Sequence, residues 1–103
     1  YIKLMKTSTD FAIHLSRFLS EYLPHERGMS HHTALAYRDA FMQFIRYMKE
    51  KQKIPVEKLT LDKLSKGIVV DFLEWIQNER NCSTSTRNYR LAAIHSFVSS
   101  KLL

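Results

Sequence analysis

Two stretches of this chain set hydroxyl side chains ahead of arginine. In the first, Ser30 is followed by Thr33, Tyr37 and Arg38; in the second, Ser83 is followed by Thr86, Arg87 and Arg90. The ligand this chemistry suits is phosphate. Ser and Thr hydroxyls bond phosphate oxygens, and Arg forks onto phosphate or onto guanine in the major groove. The open N–H groups and positive dipole end of a helix start attract an anion as well. The same residues have a plainer reading, since Ser and Thr are ordinary helix caps and Arg is ordinary surface. Spacing leaves both open.

The elements that carry these residues are predicted to be four helices. Phe11, Leu15, Phe18, Leu19 and Tyr22 recur at three- and four-residue spacing, which predicts a first helix over 10–23, with Asp10 as its cap and Pro24 as its end. After a polar stretch over 25–29, Ser30 caps a second helix that fades near Gln52, ahead of Pro55. On it Ala34, Tyr37, Phe41, Phe44, Ile45 and Met48 share one arc, with Arg38, Arg46 and Lys49 to one side. Val56, Leu59, Leu61 and Leu64 anchor the connector that follows.

Ser65 caps a third helix over 66–80, whose stripe is Ile68, Val69, Phe72, Leu73 and Ile76, with Trp75 at its flank. Asp71, Glu74 and Glu79 make it the element least suited to a polyanion, so its role is structural. A fourth helix starts near Ser83 or Ser85, with Leu91, Ile94, Phe97 and Val98 at helical spacing, and from Arg80 to Leu103 the chain has no acidic residue.

Composition agrees with a small helical domain. The 103 residues are 45% hydrophobic and include only two Gly and two Pro, too few for an architecture dense in turns. Sixteen Lys and Arg against ten Asp and Glu leave a formal charge of +6, which favours a polyanionic partner. No run approaches the roughly 18 apolar residues of a membrane span, and residues 1–9 lack the apolar region of a signal peptide. A soluble, intracellular protein without a membrane partner is therefore expected. Cys82 is the single cysteine, which excludes an intrachain disulfide and a multi-Cys zinc site. The start at Tyr1 predicts an excised domain or processed fragment, with residues 1–9 as an extension and 10–103 as one helical domain.

Three segments, taken in order, resemble one family. Ser30-His31-His32-Thr33-Ala34-Leu35-Ala36-Tyr37-Arg38-Asp39-Ala40-Phe41 resembles the S-x-x-T-x-x-x-Y helix start in the N-terminal domain of tyrosine recombinases, the phage integrase family. Residues 83–97 are similar to that domain's last helix, S-x-x-T-x-N-x-x-L-x-A-I-x-x-F, and residues 70–76 to the helix before it. The resemblance implies an all-α, SAM-like core-binding domain, a compact bundle of four to five helices that clamps one face of a DNA duplex. It implies a separate catalytic domain on the other face, holding the Arg, Lys, H-x-x-R pair, His or Trp, and Tyr nucleophile of the reaction. Other recombinase protomers on the DNA are implied partners too, with the first helix a candidate for neighbour contacts.

Carried over by position, the DNA-binding residues are Thr33, Tyr37 and Arg38, with Ser85, Thr86, Arg87 and Arg90. The resemblance gives Thr33 and Thr86 to phosphate, and Arg87 and Arg90 to phosphates or base edges. Tyr37 either leans on the sugar-phosphate backbone or packs, and its place beside the apolar arc favours packing. The chain is not expected to be a complete enzyme.

Some patterns invite other chemistry. His14-Leu15-Ser16-Arg17 matches H-x-x-R with Tyr47 downstream, but the match lies inside an amphipathic helix without the other catalytic groups, so it reads as chance. His31 and His32 point about 100° apart on a helix with no Cys near, so neither a metal nor a cofactor is expected. Lys49, Lys51 and Lys53 suit long-range attraction or a solvated helix end equally well. The competing class is a helical protein-interaction module that docks through apolar flanks such as Ile13 and Leu19.

Overall fold

Hydroxyl caps set the starts of all four helices. The computed structural model describes residues 9–25, 30–79, 81 and 83–101, and among them there is no strand. Helix α1 spans Asp10–Arg17, α2 His31–Lys51, α3 Lys66–Asn78 and α4 Thr84–Lys101. Residues 1–8 of the predicted 1–9 extension, most of the polar stretch (26–29), Arg80, Cys82 and residues 102–103 lie outside the described residues. Ser30 and Ser65 cap α2 and α3 by accepting from the N–H three residues on, and Ser83 does the same for α4.

The first helix departs from expectation at both ends. Its cap is Thr9, whose Oγ1 accepts from the Ala12 N–H at 3.2 Å. Asp10, one residue inside, accepts instead from the N–H groups of Phe11 at 2.7 Å and of Leu61 at 3.0 Å, so its carboxylate ties the connector to α1. Nor does Pro24 end the helix. A π-helical segment, Phe18–Tyr22, follows Arg17, and a last turn, Leu23–His25, contains the proline. The Leu23 N–H bonds the Phe18 carbonyl in the wide register, and that change of register falls just before a residue with no N–H to give.

Helix α2 closes at Gln52. Lys53 takes a left-handed φ of 59°, and the Ile54 N–H returns to the Met48 carbonyl at 2.9 Å. Two 3-10 turns, Val56–Lys58 and Leu61–Lys63, then cross the bundle, with Leu59 buried between them.

Aromatic rings fill the centre. Phe97 of α4 meets Phe41 at 5.0 Å, Phe18 at 5.4 Å and Phe11 at 5.7 Å between centroids, so one residue touches α1, the π-helical segment and α2. A second cluster joins Phe72 to Phe44 at 5.3 Å and Trp75 to Tyr47 at 5.5 Å. Trp75 was expected at a flank of its helix, yet it is 7% exposed. Tyr47, three turns along α2 from Tyr37, supplies the cover that α3's own pattern cannot reveal. Fully burying one such ring is worth on the order of 1.5–3 kcal/mol.

The chance H-x-x-R match is dispersed by this packing. His14 lies 4.9 Å from the Phe97 ring with Nε2 3.3 Å from Ser100 Oγ, and Tyr47 is buried with its hydroxyl accepting from Gln52 Nε2.

Candidate nucleic-acid interface

The starts of α2 and α4 have the same local construction. At α2, Ser30 Oγ accepts from the Thr33 N–H at 3.1 Å and donates to Thr33 Oγ1 at 2.9 Å. At α4, Ser83 Oγ accepts from the Thr86 N–H and donates to Thr86 Oγ1, both at 3.1 Å. The serine's one proton is thereby used on threonine. Thr86 Oγ1 then has its own proton to offer, as has Thr33 Oγ1 where Tyr89 OH donates to it, beside open helix N–H groups, which is the donor pattern a phosphate oxygen accepts.

Three contacts bring the two starts together. Tyr89 OH lies 3.4 Å from Thr33 Oγ1, its ring meets Tyr37 edge-on at 6.3 Å, and Arg90 Nη2 pairs with Asp39 Oδ2 at 3.1 Å. Between the helices lie two shallow clefts. One, of about 220 Å³, is lined by Ala36, Asp39, Ser85, Thr86, Tyr89 and Arg90. The other, of about 400 Å³, is lined by Thr33, Tyr37, Ser85, Asn88, Tyr89 and Ala92.

Of the seven residues predicted from sequence, five line these clefts: Thr33, Tyr37, Ser85, Thr86 and Arg90. Arg38 is exposed but about 100° round α2 from both Tyr37 and Asp39, away from α4. Arg87 turns to the opposite flank of α4, where it borders an apolar groove against α3. Arg90 is drawn in toward Asp39 and its side chain is 17% exposed. Tyr37 is half-buried and packs on the core.

Residues 15–102 match the model of the family described as phage integrase, N-terminal SAM-like domain. This chain belongs to that family. Over 83 residues the domain is 34% identical to "Putative integrase/recombinase y4rC" of Sinorhizobium fredii (strain NBRC 101917 / NGR234), covering 81% of this chain and 25% of that protein. It is 31% identical over 83 residues to "Putative integrase/recombinase y4rD" of the same strain, covering 81% of this chain and 30% of that protein. The chain thus spans well under half of either relative. No solved structure matches it significantly.

The integrase-family domain also holds two site residues that the sequence reading passed over, Tyr89 and Asp39. Tyr89 is 48% exposed and borders both clefts, while Asp39 is the partner of Arg90. A signal for Asp39 existed: it is the single acidic residue between positions 27 and 49, in a stretch otherwise neutral or basic. Tyr89 gave none beyond being an aromatic on a polar helix start.

The remaining candidates separate from this site. The Lys49–Lys53 cluster sits at the far end of α2, about 30 Å from Ser30 by helical rise. There Lys51 pairs with Glu79 at 3.2 Å and Lys53 Nζ donates to the Glu50 carbonyl. His31 and His32 are exposed, with ring centroids 6.3 Å apart. Among the described residues no group of three His, Cys, Asp or Glu is placed to hold a metal. None of the described helices is long and apolar enough to cross a membrane.

Proposed function

We propose that this domain binds duplex DNA through the starts of α2 and α4, as the core-binding part of a site-specific recombinase whose catalytic residues lie in a separate domain. The observation that carries the reading is the pair of Ser-x-x-Thr caps, in each of which the serine hydroxyl donates to the threonine oxygen, brought together where Tyr89 OH lies 3.4 Å from Thr33 Oγ1. Thr33, Thr86 and Ser85 bond phosphates, Tyr37 and Tyr89 form the wall between them, and Arg38 and Arg87 add charge from either side. Membership of the integrase family and the net charge of +6 support it. Base selection, the catalytic domain and other protomers belong to the whole protein. Such a domain binds non-specific duplex in the range of about 10⁻⁴ to 10⁻⁶ M at physiological salt.

Fluorescence anisotropy of a labelled duplex over a salt series tests the reading. Thr33→Val with Thr86→Val keeps both caps and removes both threonine hydroxyls, and should weaken binding about tenfold with little change in salt dependence. Arg87→Ala should lower the log–log salt slope by about 0.9 if its guanidinium meets one phosphate. Undetectable low-salt binding by the unaltered domain, or no change in either variant, would overturn the proposal in favour of a protein-docking module.

A further inference from the structure

Arg90 is held unlike a phosphate-seeking arginine. Its side chain is 17% exposed, Nη2 meets Asp39 Oδ2, and Nε and Nη1 are buried with no hydrogen-bond partner among the described residues. Burying a guanidinium with two of its nitrogens unsatisfied is unfavourable, and truncating one member of such a pair leaves the other charge stranded. Arg87 also has a buried, unpartnered Nε, but among the described residues no carboxylate pairs with it; Arg90 differs in being pinned by Asp39.

What the arrangement does is mechanical. Of the three contacts that join the helix starts, Thr33 to Tyr89 is long at 3.4 Å and Tyr37 to Tyr89 is an edge contact between rings. Asp39 to Arg90 is the one between full charges, and Arg90 is the more deeply set member, against 56% exposure for Asp39. The pair also removes charge from the cleft it lines. Carboxylate and guanidinium neutralise each other, so an approaching phosphate gains little from Arg90 and relies on the hydroxyls of Ser85 and Thr86 in the same cleft and of Thr33 in the next.

We infer that Asp39 and Arg90 are positioning residues, a strut that sets how the two phosphate-binding helix starts face one duplex, and that Arg90 itself makes no contact with DNA. This inference rests on the DNA-binding reading, and it predicts a result of opposite sign to simple electrostatics. Asp39→Asn removes a negative charge beside the DNA face and raises the formal net charge by one, which on charge alone tightens binding. As the loss of a strut it weakens binding.

The experiment compares the domain with Asp39→Asn, Asp39→Glu and the double variant Asp39→Asn, Arg90→Met in the same salt-series anisotropy, at a temperature where circular dichroism shows each folded. Asp39→Asn should bind at least about threefold more weakly, the scale of coupling between contacting residues. Asp39→Glu, which keeps the carboxylate, should return to within about twofold of the unaltered domain. The double variant keeps the net charge at +6. It should bind as weakly as Asp39→Asn with an unchanged salt slope.

Tighter binding by Asp39→Asn overturns the strut, as does a fall of about 0.9 in the slope of the double variant, which would put Arg90 on a phosphate. In both cases the unaltered domain still binds, so the DNA reading survives. Failure of the unaltered domain to bind at all overturns that reading, and the strut's purpose with it.

Discussion

The two flanks of α4 solve different problems with neighbouring residues. Toward α2 the helix presents Ser85, Thr86, Tyr89 and Arg90, and the contacts are a hydroxyl pair, a ring edge and an ion pair around small polar clefts. Toward α3 it presents Leu91, Ile94 and Val98 to a groove of about 620 Å³, where Val98 and, across it, Val70 are each 41% exposed. Arg87 and Arg90, three residues apart and only about 60° apart around the helix, fall to either side of this divide because it runs between them. A polar flank holds its partner by a few directional contacts and is sensitive to single atoms. An apolar flank holds by area and tolerates small changes.

The largest effect should come from what both flanks share. Phe97 makes the buried ring contacts of α4 with α1, the π-helical segment and α2, so Phe97→Ala should cost about 3–5 kcal/mol in denaturant unfolding and impair both sides together. Survival of DNA binding in a variant so destabilised would show that the helix starts are held independently of the core. Tyr89→Phe is the sharper instrument, since it keeps the ring against Tyr37 and deletes the hydroxyl near Thr33. Binding should fall about twofold to threefold while stability changes by no more than about 1 kcal/mol, as measured by anisotropy and thermal melts. The smallest effect is expected at Val98→Ser on the apolar flank, within about 0.5 kcal/mol in stability and without change in DNA affinity. A loss of affinity there would mean that the flanks do not divide the labour as described.

Much of the fold was legible because it is written in short-range pattern. Ser30, Ser65 and Ser83 each act on a backbone N–H three residues away, and Phe41, Phe44 and Met48 share a helical arc, so cap and core face follow from neighbours in the chain. The first helix misled at Pro24 because a π-helical segment changes hydrogen-bond register without leaving a mark in apolar spacing. Trp75 misled because its cover comes from Tyr47 on another helix.

The candidate site divides in the same way. By itself the sequence determined the four helices, the hydroxyl caps of the last three, the acid-free fourth helix and the residues that carry the family likeness, because each depends on short-range pattern. Only the tertiary structure decided that the two caps stand side by side, that Tyr89 reaches Thr33 across 56 positions of chain, and that Arg90 pairs with Asp39. Those outcomes depend on how α4 rotates and seats against α2, and that seating is fixed by the aromatic core packed around Phe97, which no local pattern specifies.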